Sequence, residues 1–224
     1  PMYGSSEEVI GFCLQQLKRA KPLQTPPFTA TKVWTPFKSR GTTQIQTSHQ
    51  LWGAGQIDLL QIHNLVSWQK HLDTLQQMKS DNKLRYIGIT TSHGRRHEEL
   101  EKIMLSQKID FVQLTYNVLD TDVEARLLPL AQEKGIAVIA NRPFQRKGLF
   151  RHFAEHPLPP WAKEVGCNSW AQYFLQFIIS HPAITCVIPA TSQVAHMQEN
   201  MAVLKSPLAD AAIRARMQAY LKTL

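Results

Sequence analysis

The sequence predicts an α/β fold in which buried parallel strands alternate with helices. Six short runs are nearly continuous in apolar residues, and they span residues 28–34, 58–63, 86–91, 111–117, 136–143 and 184–190. Strands that are buried on both faces of a parallel sheet have this continuous apolar character, whereas half-buried strands alternate. The segments between the runs carry apolar residues at helical spacing and polar residues suited to helix starts.

A closed (β/α)8 TIM barrel is the predicted form of this sheet. The runs begin at intervals of about 25 to 30 residues, except before the last, as expected of repeated strand–helix units. An open nucleotide-binding sheet is expected to carry a GxGxxG pattern after its first strand, and the sequence has none. We therefore expect a single barrel domain over residues 1–224, with about six of the eight strand–helix units present and the first two strands lacking.

The predicted helices have recognisable ends and inner faces. Candidate start and end signals are the capping-box pairs Ser5/Glu8 and Thr121/Glu124, the N-cap residues Ser67 and Asn168 or Ser169, and Gly135 as a helix end. Two apolar stripes predict packing into the core: Val9, Ile10, Cys13, Leu17 and Val194, Met197, Met201, Leu204. Residues 145–166 contain three prolines and predict an extended loop, and a last helix is expected after Pro207.

Composition and charge point away from several classes of protein. No apolar run approaches the length needed to cross a bilayer, so we expect no membrane span. The net charge of +8 is spread in pairs along the chain without a nucleic-acid motif, so solvated helix faces are expected rather than a nucleic-acid partner. The three cysteines lack metal-ligand spacing, which predicts buried thiols and no metal site. No leader is visible, and a cytoplasmic location is expected.

Three polar residues stand out near predicted strand ends: Tyr3, Lys32 and His63. Taken singly, Lys32 could snorkel or pair structurally, and His63 could be a core histidine with satisfied hydrogen bonds. Together they form a set suited to carbonyl reduction. A tyrosine can donate a proton to a developing alkoxide when a nearby ammonium favours its phenolate, and a histidine can orient the carbonyl oxygen.

Six segments, in chain order, then resemble the motifs of the aldo-keto reductases. They are Pro1-Met2-Tyr3-Gly4-x-Ser6-Glu7, Thr31-Lys32-Val33-Trp34, Asp58-Leu59-Leu60-Gln61-Ile62-His63, Gln113-Leu114-Thr115-Tyr116-Asn117, Asn141-Arg142-Pro143-Phe144, and Ile188-Pro189-Ala190-Thr191-Ser192 through Glu199-Asn200. One such match would be weak evidence for the family. Six matches in the family's order, covering essentially the whole chain, make chance agreement improbable.

The resemblance implies an NAD(P)H-dependent oxidoreductase that reduces aldehyde or ketone carbonyls. Tyr3 would be the general acid/base, Lys32 would activate it, and His63 would position the substrate oxygen. The cofactor is expected to be NADP(H), with NAD(H) as the alternative. Its contacts would be Thr90 and Asn141 near the nicotinamide, Gln113 at the carboxamide, Arg142 and Phe144 near the pyrophosphate, Thr191 and Ser192 at the adenosine phosphate, and Glu199 and Asn200 near adenine.

The sequence departs from the family pattern in four places. The family's catalytic aspartate would lie a few positions before Tyr3, and the sequence begins two residues before it. Thr90-Thr91, Asn141 and His196 replace residues that grip the cofactor in many members. We expect either a fragment of an ordinary enzyme or a short product. In the second case, negligible carbonyl reduction is expected of the 224-residue chain, because an unpaired buried Lys32 tends to lose its proton.

Two functions remain open from the sequence. The first is carbonyl reduction, with Trp34 as the best candidate for a substrate contact because it lies two residues past Lys32. The second is a catalytically weak, NADP(H)-binding barrel that acts as a sensor or partner-binding subunit. An aspartate upstream of Tyr3 would favour the first. The identity of the small-molecule carbonyl substrate and the oligomeric state are not determined by the sequence.

Overall fold

The computed structural model describes residues 3–20, 25–53 and 57–224. It divides into two compact units. The first unit is Pro1–Thr90 with Ile109–Phe111, and the second is Thr91–Lys108 with Val112–Leu224. Pro1 and Met2, which open the tyrosine motif, lie outside the described residues. One barrel domain over the whole chain remains a prediction.

The first unit alternates helices and parallel strands. Its elements are α1 (Ser6–Ala20), β1 (Ala30–Val33), α2 (Lys38–Trp52), β2 (Ile57–Ile62), α3 (Trp68–Ser80) and β3 (Leu84–Thr90). The strands neighbour one another in chain order, and both pairings are parallel. Lys32 on β1 lies opposite Gln61 on β2, which in turn lies opposite Gly88 on β3. This register places the predicted lysine and histidine strands side by side.

The second unit continues the same alternation. Its elements are α4 (His97–Ser106), β4 (Phe111–Thr115, of which Phe111 belongs to the first unit), α5 (Leu127–Lys134), β5 (Ala137–Asn141), α6 (Gly148–Phe153), α7 (Trp170–Ile179), β6 (Cys186–Val187), α8 (Val194–Ala202) and α9 (Ala211–Leu221). The strands again neighbour one another in chain order, and β5 pairs with β6 in parallel. All six predicted strands are present, although the last has two residues where seven were expected.

Two of the predicted helix signals are confirmed. The Ser169 hydroxyl accepts a hydrogen bond from the Gln172 backbone N–H at the start of α7, so Ser169 rather than Asn168 is the N-cap. Gly135 ends α5 with a φ of 65°, and its N–H bonds back to the last turn. A residue with a side chain would be strained in this left-handed conformation, so glycine suits the position.

Two other predicted caps are wrong. The Ser67 hydroxyl donates to the Pro36 carbonyl oxygen instead of capping α3. Thr121 makes no side-chain cap, and the Glu124 carboxylate accepts hydrogen bonds from Tyr116 and Arg214. A guanidinium and a phenol are stronger donors than one backbone amide, so tertiary contacts override the local signal.

The predicted extended loop over residues 145–166 is also wrong. It contains α6 and a 3-10 turn at Pro160–Val165. Leu149 and Phe153 are four residues apart and fully buried, which is helical spacing. The prolines of this segment favoured the interpretation as a loop and outweighed the short helical pattern of α6.

Both apolar stripes that were expected in the core are exposed. Val9 and Leu17 on α1, and Val194 and Leu204 in and after α8, are all exposed, with Val194 at 76%. Cys13 and Cys186 are exposed as well, and Cys167 alone of the three thiols is buried. The spacing predicted which residues form the apolar side of each helix, but within the described part of the chain these side chains do not pack into a core.

Candidate active site

Lys32 and His63 lie close together at the carboxyl ends of two neighbouring strands. Lys32 is half-buried near the end of β1, and His63 is buried in a 3-10 turn that directly follows β2. The parallel register aligns the two ends, because Lys32 is opposite Gln61 and His63 follows two residues later. The carboxyl ends of parallel strands are where such folds assemble their chemistry.

Burial and mutual repulsion govern the charge of both groups. Burial lowers the pKa of Lys32 from its ordinary value. Burial, followed by the charge of Lys32, lowers the pKa of His63 to about 4. His63 is therefore neutral near pH 7 and can donate a hydrogen bond without carrying charge. Among the residues that the structure describes, no carboxylate is paired with Lys32.

Trp34 lies beside His63, and its backbone is held by the side chain of Gln44. The Gln44 side chain accepts from the Trp34 N–H at 2.9 Å and donates to the Trp34 carbonyl oxygen at 2.9 Å. The indole lies with its ring centroid 6.3 Å from that of His63 and is partly exposed. These two hydrogen bonds hold the Trp34 backbone, and the indole offers an aromatic surface beside His63 against which a small substrate could pack.

Tyr3 lies in the turn that leads into α1. Its carbonyl oxygen accepts from the Ser6 N–H at 3.2 Å, while its side chain is 66% exposed. Within the described residues, the phenol makes no hydrogen bond or ring contact with Lys32 or His63. The structure therefore brings two of the three predicted catalytic side chains together and leaves the third at the surface.

Gln61 is a polar group at this site that the sequence prediction missed. It is buried, and its amide nitrogen has no hydrogen-bond partner among the described residues. The signal was present, since a glutamine inside an otherwise apolar strand is unusual. An unsatisfied buried donor next to Lys32 marks a place where an acceptor group can bind.

The low pKa of His63 predicts a pH dependence of stability. Between pH 6.5, the ordinary pKa of histidine, and about pH 4, His63 is protonated in the unfolded chain but not in the folded chain. The free energy of unfolding should therefore fall as the pH decreases through this window, with a slope of up to about 1.4 kcal/mol per pH unit. Urea unfolding at several pH values measures the slope, and His63→Gln should reduce it. His196→Gln, at an exposed histidine, should leave it unchanged. An equal slope in both variants would contradict the assignment.

Thr90, Gln113 and Asn141 were predicted to contact the nicotinamide end of the cofactor. In the first unit, Thr90 ends β3, is fully buried, and accepts from the Asn64 N–H through its hydroxyl. In the second unit, Gln113 is buried on β4. The Asn141 amide is engaged at both ends, since its oxygen accepts from the Thr115 hydroxyl and its nitrogen donates to the Thr91 carbonyl oxygen.

Arg142 lies at the centre of a basic group in the second unit. One of its guanidinium nitrogens is 2.6 Å from Nε2 of His93, and its backbone has a φ of 55°. Burial, then the charges of Arg142, Arg146 and Arg95, lower the pKa of His93. Phe144 packs against Phe150 in a tilted arrangement, with ring centroids 4.8 Å apart. Positive charge and backbone turns at a strand end are suited to an anion, and His93 was missed by the sequence prediction.

The predicted adenosine contacts surround the start of α8. Thr191 and Ser192 lie between β6 and α8, and the Thr191 hydroxyl accepts from the Gln193 N–H at 3.1 Å. Glu199 is half-buried and Asn200 is buried on α8 itself. The described residues contain no cluster of metal-ligating side chains and no helix long and apolar enough to span a membrane.

Comparison with known proteins matches the chain to characterised relatives. The sequence model of the Aldo/keto reductase family matches residues 1–220. Methylglyoxal reductase YeaE of Escherichia coli is 23% identical over 222 residues, which is 97% of this chain and 76% of that protein. Pyridoxine 4-dehydrogenase of Escherichia coli is 28% identical over 189 residues, which is 79% of this chain and 63% of that protein.

Solved structures agree with the sequence match. The holo form of aldo-keto reductase AKR11C1 from Bacillus halodurans has a TM-score of 0.75 at 20% identity, over 95% of this chain and 77% of that chain. An aldo/keto reductase from Klebsiella pneumoniae in complex with NADP and acetate has a TM-score of 0.77 at 21% identity, over 98% and 77%. These likenesses confirm the predicted fold class. The match of the family model over residues 1–220 shows that the chain belongs to the aldo/keto reductase family.

Proposed function

We propose that this protein reduces small aldehydes or ketones with NADPH, with Tyr3 as the proton donor. The observation that carries the proposal is the pairing of Lys32 with His63 at neighbouring strand ends, where burial and the lysine charge keep the histidine neutral. A structural lysine would more often be exposed or paired with a carboxylate. Here Lys32 lies close to His63, which is a neutral hydrogen-bond donor and is in ring contact with Trp34.

Four side chains of the first unit have distinct roles in this reaction. A reduced nicotinamide, when bound, supplies hydride to the carbonyl carbon. The Tyr3 phenol donates its proton to the oxygen that becomes an alkoxide, and the Lys32 ammonium stabilises the phenolate that remains. Neutral His63 donates a hydrogen bond that orients the carbonyl oxygen. Trp34 packs against the rest of a small substrate and excludes water from that side.

The residues of the second unit fit a dinucleotide. Arg142 and Arg146 concentrate positive charge at a strand end beside His93, which matches a pyrophosphate. The buried Thr91 hydroxyl has no partner among the described residues and can bond a polar cofactor group. Gln113, Asn141, Phe144, Thr191, Ser192, Glu199 and Asn200 are the further proposed contacts. Thr90 is the proposed contact from the first unit.

The comparisons support the same reaction class. Two of the matched proteins are named as methylglyoxal reductases, and one of these is described as NADH-specific. The matched Klebsiella pneumoniae structures contain NADP or NADPH. Because relatives use either cofactor, NADP(H) is the proposed cofactor and NAD(H) the alternative. His196, which stands where many members carry an arginine, would weaken the grip on a 2′-phosphate.

A second candidate function is that of a cofactor-binding barrel with little catalysis. It is favoured by the exposed side chain of Tyr3 and by the lack of a described carboxylate partner for Lys32. Such a protein would bind NADP(H) and signal through a partner.

Titration and turnover together test these functions on the complete gene product. Fluorescence titration should give a lower Kd for NADPH than for NADH, and methylglyoxal should then cause steady NADPH consumption. Binding without turnover of any small aldehyde would support the sensor function instead. Absence of binding to either cofactor would exclude both functions, and equal affinities would refute the NADP preference.

A further inference from the structure

Glu7 is a buried carboxylate whose role the sequence did not suggest. It lies in the first turn of α1 and is only 8% exposed. Its Oε1 atom accepts three side-chain hydrogen bonds: from the Thr31 hydroxyl at 2.6 Å, the Ser48 hydroxyl at 2.8 Å and the Trp52 indole N–H at 3.4 Å. One oxygen therefore joins α1 to both β1 and α2.

These hydrogen bonds favour the ionised carboxylate in spite of its burial. Burial by itself raises the pKa of Glu7, and the hydrogen bonds from Thr31, Ser48 and Trp52 are among the causes that bring it below its usual value. A buried carboxylate with this many partners is costly to leave unsatisfied. These three hydrogen-bond donors lie 24 to 45 residues away in the sequence, so the bonds are tertiary contacts.

The positions of these partners connect Glu7 to the proposed reaction. Tyr3 lies four residues before Glu7, and its carbonyl oxygen is held by the N–H of Ser6. Thr31 lies immediately before Lys32 on β1, with its side chain on the opposite face of the strand. The Glu7–Thr31 hydrogen bond thus links α1, which directly follows the turn that carries Tyr3, to the strand that carries Lys32.

We propose that Glu7 is a positioning residue, which sets the turn of Tyr3 relative to Lys32 through its hydrogen bond to Thr31. This inference rests on the proposed function. The effect is geometric, because the hydrogen bonds from Thr31, Ser48 and Trp52 go to one carboxylate oxygen, and a glutamine side chain also offers one oxygen. Displacing a catalytic acid by about 1 Å can lower the rate roughly 100-fold. Loss of the Glu7–Thr31 hydrogen bond should therefore lower kcat.

Matched variants of the complete gene product test this. Glu7→Ala should lower kcat about 10- to 100-fold, while the KM for methylglyoxal and the Kd and stoichiometry for NADPH stay within about threefold. Glu7→Gln should keep kcat near the wild-type value. Thr31→Val and Ser48→Ala each remove one hydroxyl donor to the same oxygen, and only Thr31→Val, which breaks the link to β1, should lower kcat. Glu8→Ala, at an exposed neighbour, is the control.

The possible failures are distinguishable. If the wild-type protein reduces no carbonyl, the proposed function itself fails. If it is active and Glu7→Ala keeps the wild-type kcat per NADPH site, the positioning role is wrong. The same holds if Glu7→Gln is as impaired as Glu7→Ala, or if Thr31→Val and Ser48→Ala behave alike. Should Glu7→Ala not fold, the comparison of Thr31→Val with Ser48→Ala decides the matter.

Discussion

Tyr3→Phe in the complete gene product is expected to lower kcat for methylglyoxal reduction by about 100- to 10,000-fold. The substitution removes the proposed proton donor and keeps the ring. The Tyr3 hydroxyl is exposed and makes no described hydrogen bond, so the melting temperature should not change. The Kd for NADPH should also stay within about threefold, since the loss falls on the transition state.

Steady-state NADPH consumption and fluorescence titration measure these quantities. Tyr220→Phe is the matched control, because it removes a phenol whose hydroxyl donates to the Pro157 carbonyl oxygen within the second unit. Turnover of Tyr3→Phe within tenfold of the wild type would mean that another group supplies the proton.

Gly11→Ala is expected to destabilise the fold by about 3 kcal/mol. A Cβ atom at Gly11 would lie 1.8 Å from the carbonyl oxygen of Leu51 and 3.1 Å from Cα of Trp52. Both are backbone atoms near the end of α2, so no side chain can rotate away and the two helices must separate. In an unhindered helix the same change gains about 1 kcal/mol, because alanine is the better helix former. The clash therefore decides the sign.

Thermal unfolding followed by circular dichroism should show a fall in melting temperature of about 6–12 °C for a chain of this size. Gln16→Ala, at an exposed position of the same helix, should leave the melting temperature within about 2 °C. A melting temperature at or above that of the wild type would show that α1 does not approach α2 this closely. Because Glu7 lies one turn earlier, Gly11→Ala should also disturb its hydrogen bonds to Ser48 and Trp52.

Much of the local structure was predictable because its causes are local. The continuous apolar runs identified all six strands, and Ser169 and Gly135 marked helix ends through bonds to their own turns. The prediction failed where distant groups compete. Ser67 and Glu124 bond partners outside their helices, and β6 is shorter than its apolar run.

The candidate site divides in the same way. The motifs of Tyr3, Lys32 and His63 were visible in the sequence, and their catalytic roles remain a prediction. Spacing alone could not show that the pKa of His63 is lowered to about 4, because that follows from burial and from a lysine on the neighbouring strand. Nor could it reveal Glu7, whose partners come from two other elements.

The sequence by itself determined the family, the alternation of strands and helices, and the residue types available for chemistry. Those properties depend on the order of side chains and on contacts within a few residues. Only the tertiary structure decided which apolar stripes are covered, which charges are buried together, and where two helices approach closely enough to require Gly11. Burial and electrostatic coupling arise between residues that are distant in the chain, so they are properties of packing.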